Sequence, residues 1–269
     1  MSITFFTTFN KDGFILYGNQ WLSTFLKNVV NHNPNVSARI YTENVNVALD
    51  HNSVEFLDFG TAIPEHAAWK SQYTESNRHN AGVMLETVRF SHKAFAIQHA
   101  LETVTTDYAI WLDGDCVFHN DSYLNFPANI LDNKFLACQL EINPSGDNHV
   151  ESGILIFDMA HPHTQEFRKQ FCNNYKIENL AQMILPFDGY VVNKTLCQTN
   201  LPYLDLNAEF GGTTLVDAAA EKTFLHPAIK NKFTHNIGAA GKASYPNWKK
   251  VKHNNPVFEN LNRHVNLEK

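Results

Sequence analysis

The chain has 269 residues, 43% of them hydrophobic and 18% charged, and a formal net charge of −6. That length buries a full core and suits one large α/β domain, and the negative balance excludes broad electrostatic attachment to nucleic acid or anionic membrane. The composition also leaves no room for a long disordered tail or a bilayer-crossing apolar run.

The chain opens on Ile3-Thr4-Phe5-Phe6-Thr7-Thr8, a strand-like segment without the basic region and long apolar core of a signal peptide. Asn10-Lys11-Asp12-Gly13 reads as a turn, after which Trp21, Leu22, Phe25, Leu26, Val29 and Val30 recur at helical spacing. Segments 38–42 and 53–57 read as strands, so the opening alternates β and α as a nucleotide-binding sheet does. No Gly-x-Gly-x-x-Gly follows the first strand and no P-loop is present, which excludes the common dinucleotide and triphosphate loops. Residues Trp69 to Asn80 lack periodicity and are expected to form a loop over a ligand. In the next segment Phe90, Ala94, Ile97 and Leu101 share one helix face, opposite Arg89, Lys93 and Glu102.

Tyr108-Ala109-Ile110-Trp111-Leu112 reads as a buried strand, broken by Asp113-Gly114-Asp115. Two carboxylates one residue apart at a strand end suit Mg²⁺ or Mn²⁺ with metal positions left for phosphate oxygens. Asp-Gly equally suits a capped surface turn. Segments 135–139 and 153–157 read as strands, and Phe167, Phe171 and Tyr175 mark a helix by their four-residue steps. Residues 189–196 suggest another helix, and 201–206 and 223–225 weaker strands; no repeat or Gly/Ser/Pro linker divides the chain. Cys116, Cys138, Cys172 and Cys197 lack metal-knuckle or disulfide-framework spacing, as expected of reduced thiols in a cytosolic protein.

In the order of these segments the chain resembles the metal-dependent glycosyltransferases of the GT-A fold, whose Asp-x-Asp signature follows a buried strand. The resemblance implies a single α/β domain over 1–269, Rossmann-like, with a mixed, mostly parallel central sheet flanked by helices. Residues 1–118 would form its nucleotide-sugar-binding half and 119–269 its acceptor-binding and closing half. It implies that Thr7, Thr8, Phe9 and Tyr17 lie on the nucleotide side, that Arg89, Lys93 and Gly114 contact the donor, and that Asp113, Asp115 and His235 hold Mn²⁺ or Mg²⁺. Glu151-Ser152-Gly153-Ile154-Leu155-Ile156-Phe157-Asp158 looks like the family's Ser-Gly strand, with Glu151 a catalytic carboxylate and Ser152 and Gly153 on the acceptor side. Asp188-Gly189-Tyr190-Val191-Val192-Asn193 matches the Asp-x-x-x-x-Asn helix start of a retaining branch similar to glycogenin and bacterial galactosyltransferases. That makes Asp188 a second catalytic carboxylate, although an aspartate there also suits a helix cap.

His235-Asn236-Ile237-Gly238-Ala239-Ala240-Gly241-Lys242 looks like the closing segment of that branch, without its Lys-Pro-Trp ending. Gly238 and Gly241 would bring backbone N–H groups to a diphosphate, and Lys242 would add positive charge at the leaving oxygen. The implied activity is transfer of a sugar from a nucleotide sugar, UDP-linked by preference, to a hydroxyl acceptor with retention. The acceptor would be a glycan or, as for some bacteriophage-encoded enzymes that the chain also resembles, hydroxymethylated DNA. Duplex DNA needs a basic groove beside the metal, and only Lys242, Lys249, Lys250 and Lys252 form a conspicuous basic cluster. A nucleotidyltransferase and a non-catalytic metal-dependent nucleotide- or carbohydrate-binding module are the alternatives.

Overall fold

In the first strand Ile3, Phe5 and Phe9 turn to one face and Phe6 to the other, and all four are buried. A strand apolar on both sides belongs at the centre of a sheet that helices cover twice. The computed structural model, which describes residues 1–47, 49–73, 87–119, 123, 125–141, 148–183, 186–207, 229, 231–235 and 265–266, has that architecture. In chain order its strands are β1 (Ile3–Asn10), β2 (Val36–Glu43), β3 (Asn46–Val47), β4 (Val54–Asp58), β5 (Tyr108–Leu112) and β6 (Cys116–Phe118). They continue with β7 (Leu136–Glu141), β8 (His149–Asp158), β9 (Leu204–Asp205), β10 (Phe233–His235) and β11 (Val265–Asn266). Seven of them form one sheet in the order β4-β2-β1-β5-β8-β7-β9. The pairs β4–β2, β2–β1, β1–β5 and β7–β9 are parallel, and β8 runs antiparallel to both its neighbours.

The helices are α1 (Lys11–Gly13), leading through a π-helical turn at Phe14–Gly18 into α2 (Asn19–Asn28), then α3 (Phe59–Ala62), α4 (Pro64–Gln72), α5 (Thr87–Thr103), α6 (Phe126–Leu131), α7 (Pro162–Asn174), α8 (Ile177–Leu180) and α9 (Asp188–Thr199). Trp21, Leu22 and Phe25 of α2 and Ile130 of α6 pack with Phe5 on one face of the sheet. Trp69 of α4, Ile97 of α5, Phe167 of α7 and Val192 of α9 pack with Phe6 on the other. This is a Rossmann-like α/β fold with a mixed, mostly parallel sheet. Strands from residues 1–118 and from 119–269 share that sheet. Among the described residues no helix is long and apolar enough to cross a membrane.

Three local expectations are corrected. The turn at residues 10–13 is the opening of a helix, because Asn10 Oδ1 accepts from the Gly13 amide at 2.7 Å and so caps it. Trp69 to Gln72 close α4 and are not loop: Pro64 starts that helix, and the buried Trp69 ring donates from Nε1 to the Tyr175 carbonyl at 2.8 Å. Residues 74–80 of the expected loop, and the strand expected at 223–225, lie outside the described residues. Lys93, placed by helical periodicity on a solvated face, is buried.

The antiparallel β8 decides where the site forms. Parallel strands all end at one edge, and ligands of open α/β sheets bind there. A neighbour running the other way begins at that edge, and so β8 delivers Glu151, Ser152 and Gly153 beside the exit of β5, with Leu112 opposite Ile154.

Candidate active site

Leaving β5, the chain turns at Asp113-Gly114-Asp115, with the Cys116 amide donating to the Asp113 carbonyl at 3.1 Å and the Asp113 amide to the Gly153 carbonyl of β8 at 2.9 Å. Glycine is required at 114 because the Phe9 ring occupies the space of a Cβ. Asp113 Oδ1 accepts from Trp111 Nε1 at 2.7 Å and from Lys93 Nζ at 2.8 Å. Those two donors fix the carboxylate, and its other oxygen, Oδ2, lies 3.7 Å from His235 Nε2. The same nitrogen is 3.0 Å from Asp115 Oδ1. His235 reaches this turn from far along the chain because β10 pairs antiparallel with β6, which sets it opposite Cys116. Burial opposes a charge on His235, but the hydrogen bond to Asp115 and the charge of Asp113 outweigh it and hold the imidazole pKa above its usual range.

By donor type this set suits a divalent cation. Asp113 and Asp115 supply hard oxygens and His235 a borderline nitrogen, and the Asp113 carboxylate is already oriented by Lys93 and Trp111, as outer partners of metal ligands commonly arrange. Asp115, Cys116 and His235 each place one ligand atom within 4.8 Å of the other two.

Lys93 ties the metal side to the second carboxylate region. Its Nζ lies 3.1 Å from Asp188 Oδ2, 2.5 Å from the Ser152 carbonyl and 2.9 Å from Ser152 Oγ, and it sits 5.1 Å from the centre of the Trp111 ring. Burial disfavours the ammonium, yet Asp113 and Asp188 more than offset that and raise its pKa above the usual lysine range. Ser152 Oγ donates to Asp188 Oδ2 at 2.5 Å. Phe187, not Asp188, holds the cap position of α9, so the Asp188 Oδ2 faces Ser152 and Lys93 instead of serving as the cap. Gly189 follows because the Val150 carbonyl of β8 fills the place of a Cβ.

Glu151 Oε1 accepts from the Gly153 amide at 2.8 Å. Burial and the nearby Asp113 push its carboxyl above the usual carboxylate range, against the opposing pull of Lys93 and His235. A Cβ on Gly153 would come within 2.8 Å of His235 Cε1 and 3.0 Å of Glu151 Oε1. The glycine therefore lets the β8 carboxylate and the β10 imidazole approach each other.

These groups surround one cavity of about 850 Å³. It is lined by twelve of the residues expected from sequence: Thr8, Phe9, Tyr17, Arg89, Lys93, Asp113, Gly114, Asp115, Glu151, Ser152, Asp188 and His235. Thr7, expected to meet the nucleotide, is fully buried and is not among the lining residues; its side chain alternates with Thr8 into the core side of β1. Gly153, expected on the acceptor side, is not among the lining residues; its lack of a side chain lets Glu151 and His235 approach each other. Gly238, Gly241 and Lys242 lie outside the described residues. Sequence reasoning missed Asn10, Glu43, His92, His149, Phe90 and Phe187, which also line the cavity. Glu43 was within reach, since it ends β2 in register with Asn10 at the edge where β1 delivers Thr8 and Phe9.

No protein-family model matches the chain, and no curated protein sequence matches it. Among solved structures, the chain resembles the unliganded bifunctional glycosyltransferase WbbM at 14% identity, with a TM-score of 0.52 over 98% of this chain and 51% of that one. It also resembles the glycosyltransferase GlyE of Streptococcus pneumoniae TIGR4 at 13% identity, with a TM-score of 0.50 over 98% of this chain and 63% of that one. The chain thus spans about half of the first and less than two thirds of the second. At such identities the likeness establishes the fold: the chain has a GT-A-like α/β architecture of the kind found in these glycosyltransferases.

Proposed function

We propose that this chain is a metal-dependent glycosyltransferase, a single domain that moves a sugar from a nucleotide sugar, UDP-linked by preference, to a hydroxyl acceptor. One observation carries the reading. Segments distant in sequence bring Asp113, Asp115, His235, Lys93, Glu151 and Asp188 to one cavity at the carboxyl end of β1 and β5, a cavity about 850 Å³ in volume. That is the edge at which open α/β sheets bind nucleotides.

Asp113, Asp115 and His235 would hold Mn²⁺ or Mg²⁺, and the nitrogen in the set favours Mn²⁺. When bound, the ion supplies Lewis-acid neutralisation of the departing diphosphate. The chain's own residues do the remainder. Thr8, Phe9, Tyr17 and Arg89, which line the cavity, would face the donor. Lys93 holds Asp113 and Asp188 at fixed separation, so the charge pattern is set before substrate arrives, which avoids reorganisation during the reaction. Glu151 and Asp188 would lie near the transferred sugar, to orient the acceptor hydroxyl, take its proton or stabilise an oxocarbenium-like charge. Transfer with retention follows from the resemblance of the Asp188 helix start to the retaining branch. Among the described residues the cavity lining carries Glu43, Asp113, Asp115, Glu151 and Asp188 against Arg89 and Lys93. This favours a glycan hydroxyl over hydroxymethylated duplex DNA, whose phosphates need a basic groove.

Calorimetric titration of the full chain with UDP and Mn²⁺, run beside a turnover assay with UDP-sugars and a glycan and DNA acceptor panel, tests the reading. Mn²⁺-dependent binding with release of UDP supports it. Binding without turnover on any acceptor would make the chain a binding module, and release of pyrophosphate from a nucleoside triphosphate would make it a nucleotidyltransferase.

A further inference from the structure

One donor near the turn is not used by the proposed reaction: the Cys116 thiol. The pairing of β6 with β10 sets Cys116 directly opposite His235, and directly opposed residues in an antiparallel pair project to the same side. Asp115 precedes Cys116 at the end of the turn. Their three ligand atoms lie within 4.8 Å of one another, and Cys116 and His235 are both buried. Cys116 forms no disulfide.

Hard and soft donors thus flank the same imidazole. Asp113 and Asp115 offer oxygens, and Cys116 offers sulfur close to His235 and Asp115. A thiolate strengthens a site's preference for soft ions such as Zn²⁺ and Cd²⁺ over Mg²⁺ and Mn²⁺, which carboxylate oxygens suit. We propose that Asp115, Cys116 and His235 form a thiophilic cation site, in which a soft divalent ion such as Zn²⁺ or Cd²⁺ bonds to the Cys116 sulfur and competes with the Mn²⁺ or Mg²⁺ of the transfer reaction. The inference rests on the metal reading of Asp115 and His235 and adds a ligand and a selectivity to it. On binding, the S–H bond breaks, a sulfur–metal bond forms, and the proton passes to solvent; no oxidant or reductant takes part. Because the sulfur belongs to β6, a soft ion is drawn toward that strand and occupies His235 and Asp115 without serving a diphosphate in the cavity. Thiophilic ions should therefore inhibit by displacing Mn²⁺.

The test is a Cd²⁺ titration of the full chain, read by the ultraviolet thiolate-to-cadmium charge-transfer band and, in parallel, by calorimetry in two buffers of different ionisation enthalpy. The exposed Cys197 and half-buried Cys172 are replaced by alanine in the reference protein, so that their thiols do not contribute. The expected result is a band that saturates at one Cd²⁺ per chain with proton release and is lost in Cys116→Ser. Affinity for Cd²⁺ should fall by more than the roughly 10–100-fold that loss of an outer partner costs. His235→Gln is the second variant and should also weaken the band. If Cd²⁺ binds by calorimetry without the band, or if Cys116→Ser keeps the band, the thiophilic site is refuted while the oxygen-and-histidine metal site stands. If neither Cd²⁺ nor Mn²⁺ binds, the metal reading itself fails.

Discussion

Replacing Lys93 by methionine should expose how much of the site depends on one buried ammonium. The change keeps the length and packing of the stem but removes the charge that meets Asp113 Oδ1 at 2.8 Å, Asp188 Oδ2 at 3.1 Å, and the Ser152 carbonyl and Oγ at 2.5 and 2.9 Å. Asp188 is itself buried, so its charge loses a partner that water replaces poorly. Breaking a buried pair from one side costs about 3–5 kcal/mol, a large share of the roughly 5–15 kcal/mol that holds a domain together. For a chain of this size the melting temperature should fall by about 6–20 °C. Urea denaturation of Lys93→Met, Asp188→Asn and the double variant would measure the coupling, expected at about 1–3 kcal/mol. A loss below about 1 kcal/mol for Lys93→Met, or coupling below about 0.5 kcal/mol, would refute the account of Lys93 as the tie between the two carboxylates.

Gly153→Ala should destabilise the fold by about 1–3 kcal/mol as its Cβ pushes the His235 ring and Glu151 apart. It should also weaken Mn²⁺ binding by about 10–100-fold, measurable by calorimetry; full Mn²⁺ affinity would show that the His235 position is unimportant. The buried His66, whose Nε2 lies 2.8 Å from Ser91 Oγ, has its pKa lowered to about 4 by burial, with His92 and Lys70 adding to the effect. Its folded pKa lies below the unfolded value, so the unfolded chain binds the extra proton. Stability is whole above pH 6.5 and declines as pH falls toward 4. At about pH 5 the loss from this one group is about 2 kcal/mol, and urea melts of His66→Gln against wild type should show a correspondingly flatter decline; equal slopes would refute it. Chelation should abolish sugar transfer and Mn²⁺ should restore it, followed as nucleoside diphosphate release; undiminished transfer in excess chelator would exclude a required ion.

The main strands β1, β2, β4, β5, β7 and β8 and the helices α2, α5, α7 and α9 were legible because their signals are local, whereas α4 was read as loop. The apolar run of β5, its break at Asp113-Gly114-Asp115, and the four-residue steps of Phe167 and Phe171 each carry their own period. What the periodicity of α5 concealed was the burial of Lys93: a cation opposite the apolar stripe reads as solvated, and only the carboxylates of Asp113 and Asp188 make its burial tolerable. The reversed direction of β8 was equally hidden, since alternation in a sequence has no sign, yet that direction brings Glu151 to Asp113. His235 could be named from its motif, but its neighbour Cys116 could not, because their proximity depends on the β6–β10 register. Glu43, His92 and His149 lacked any sequence signal beyond position, and they entered the site through the shared edge of the sheet.

Turnover of a panel of nucleotide sugars in the presence of Mn²⁺, read as released nucleoside diphosphate for wild type and Asp115→Asn, tests the central claim most directly. A UDP-sugar should be consumed, with the rate in Asp115→Asn lower by about 10²-fold or more. Release from no donor in the panel, or an Asp115→Asn variant as active as wild type, would contradict the account.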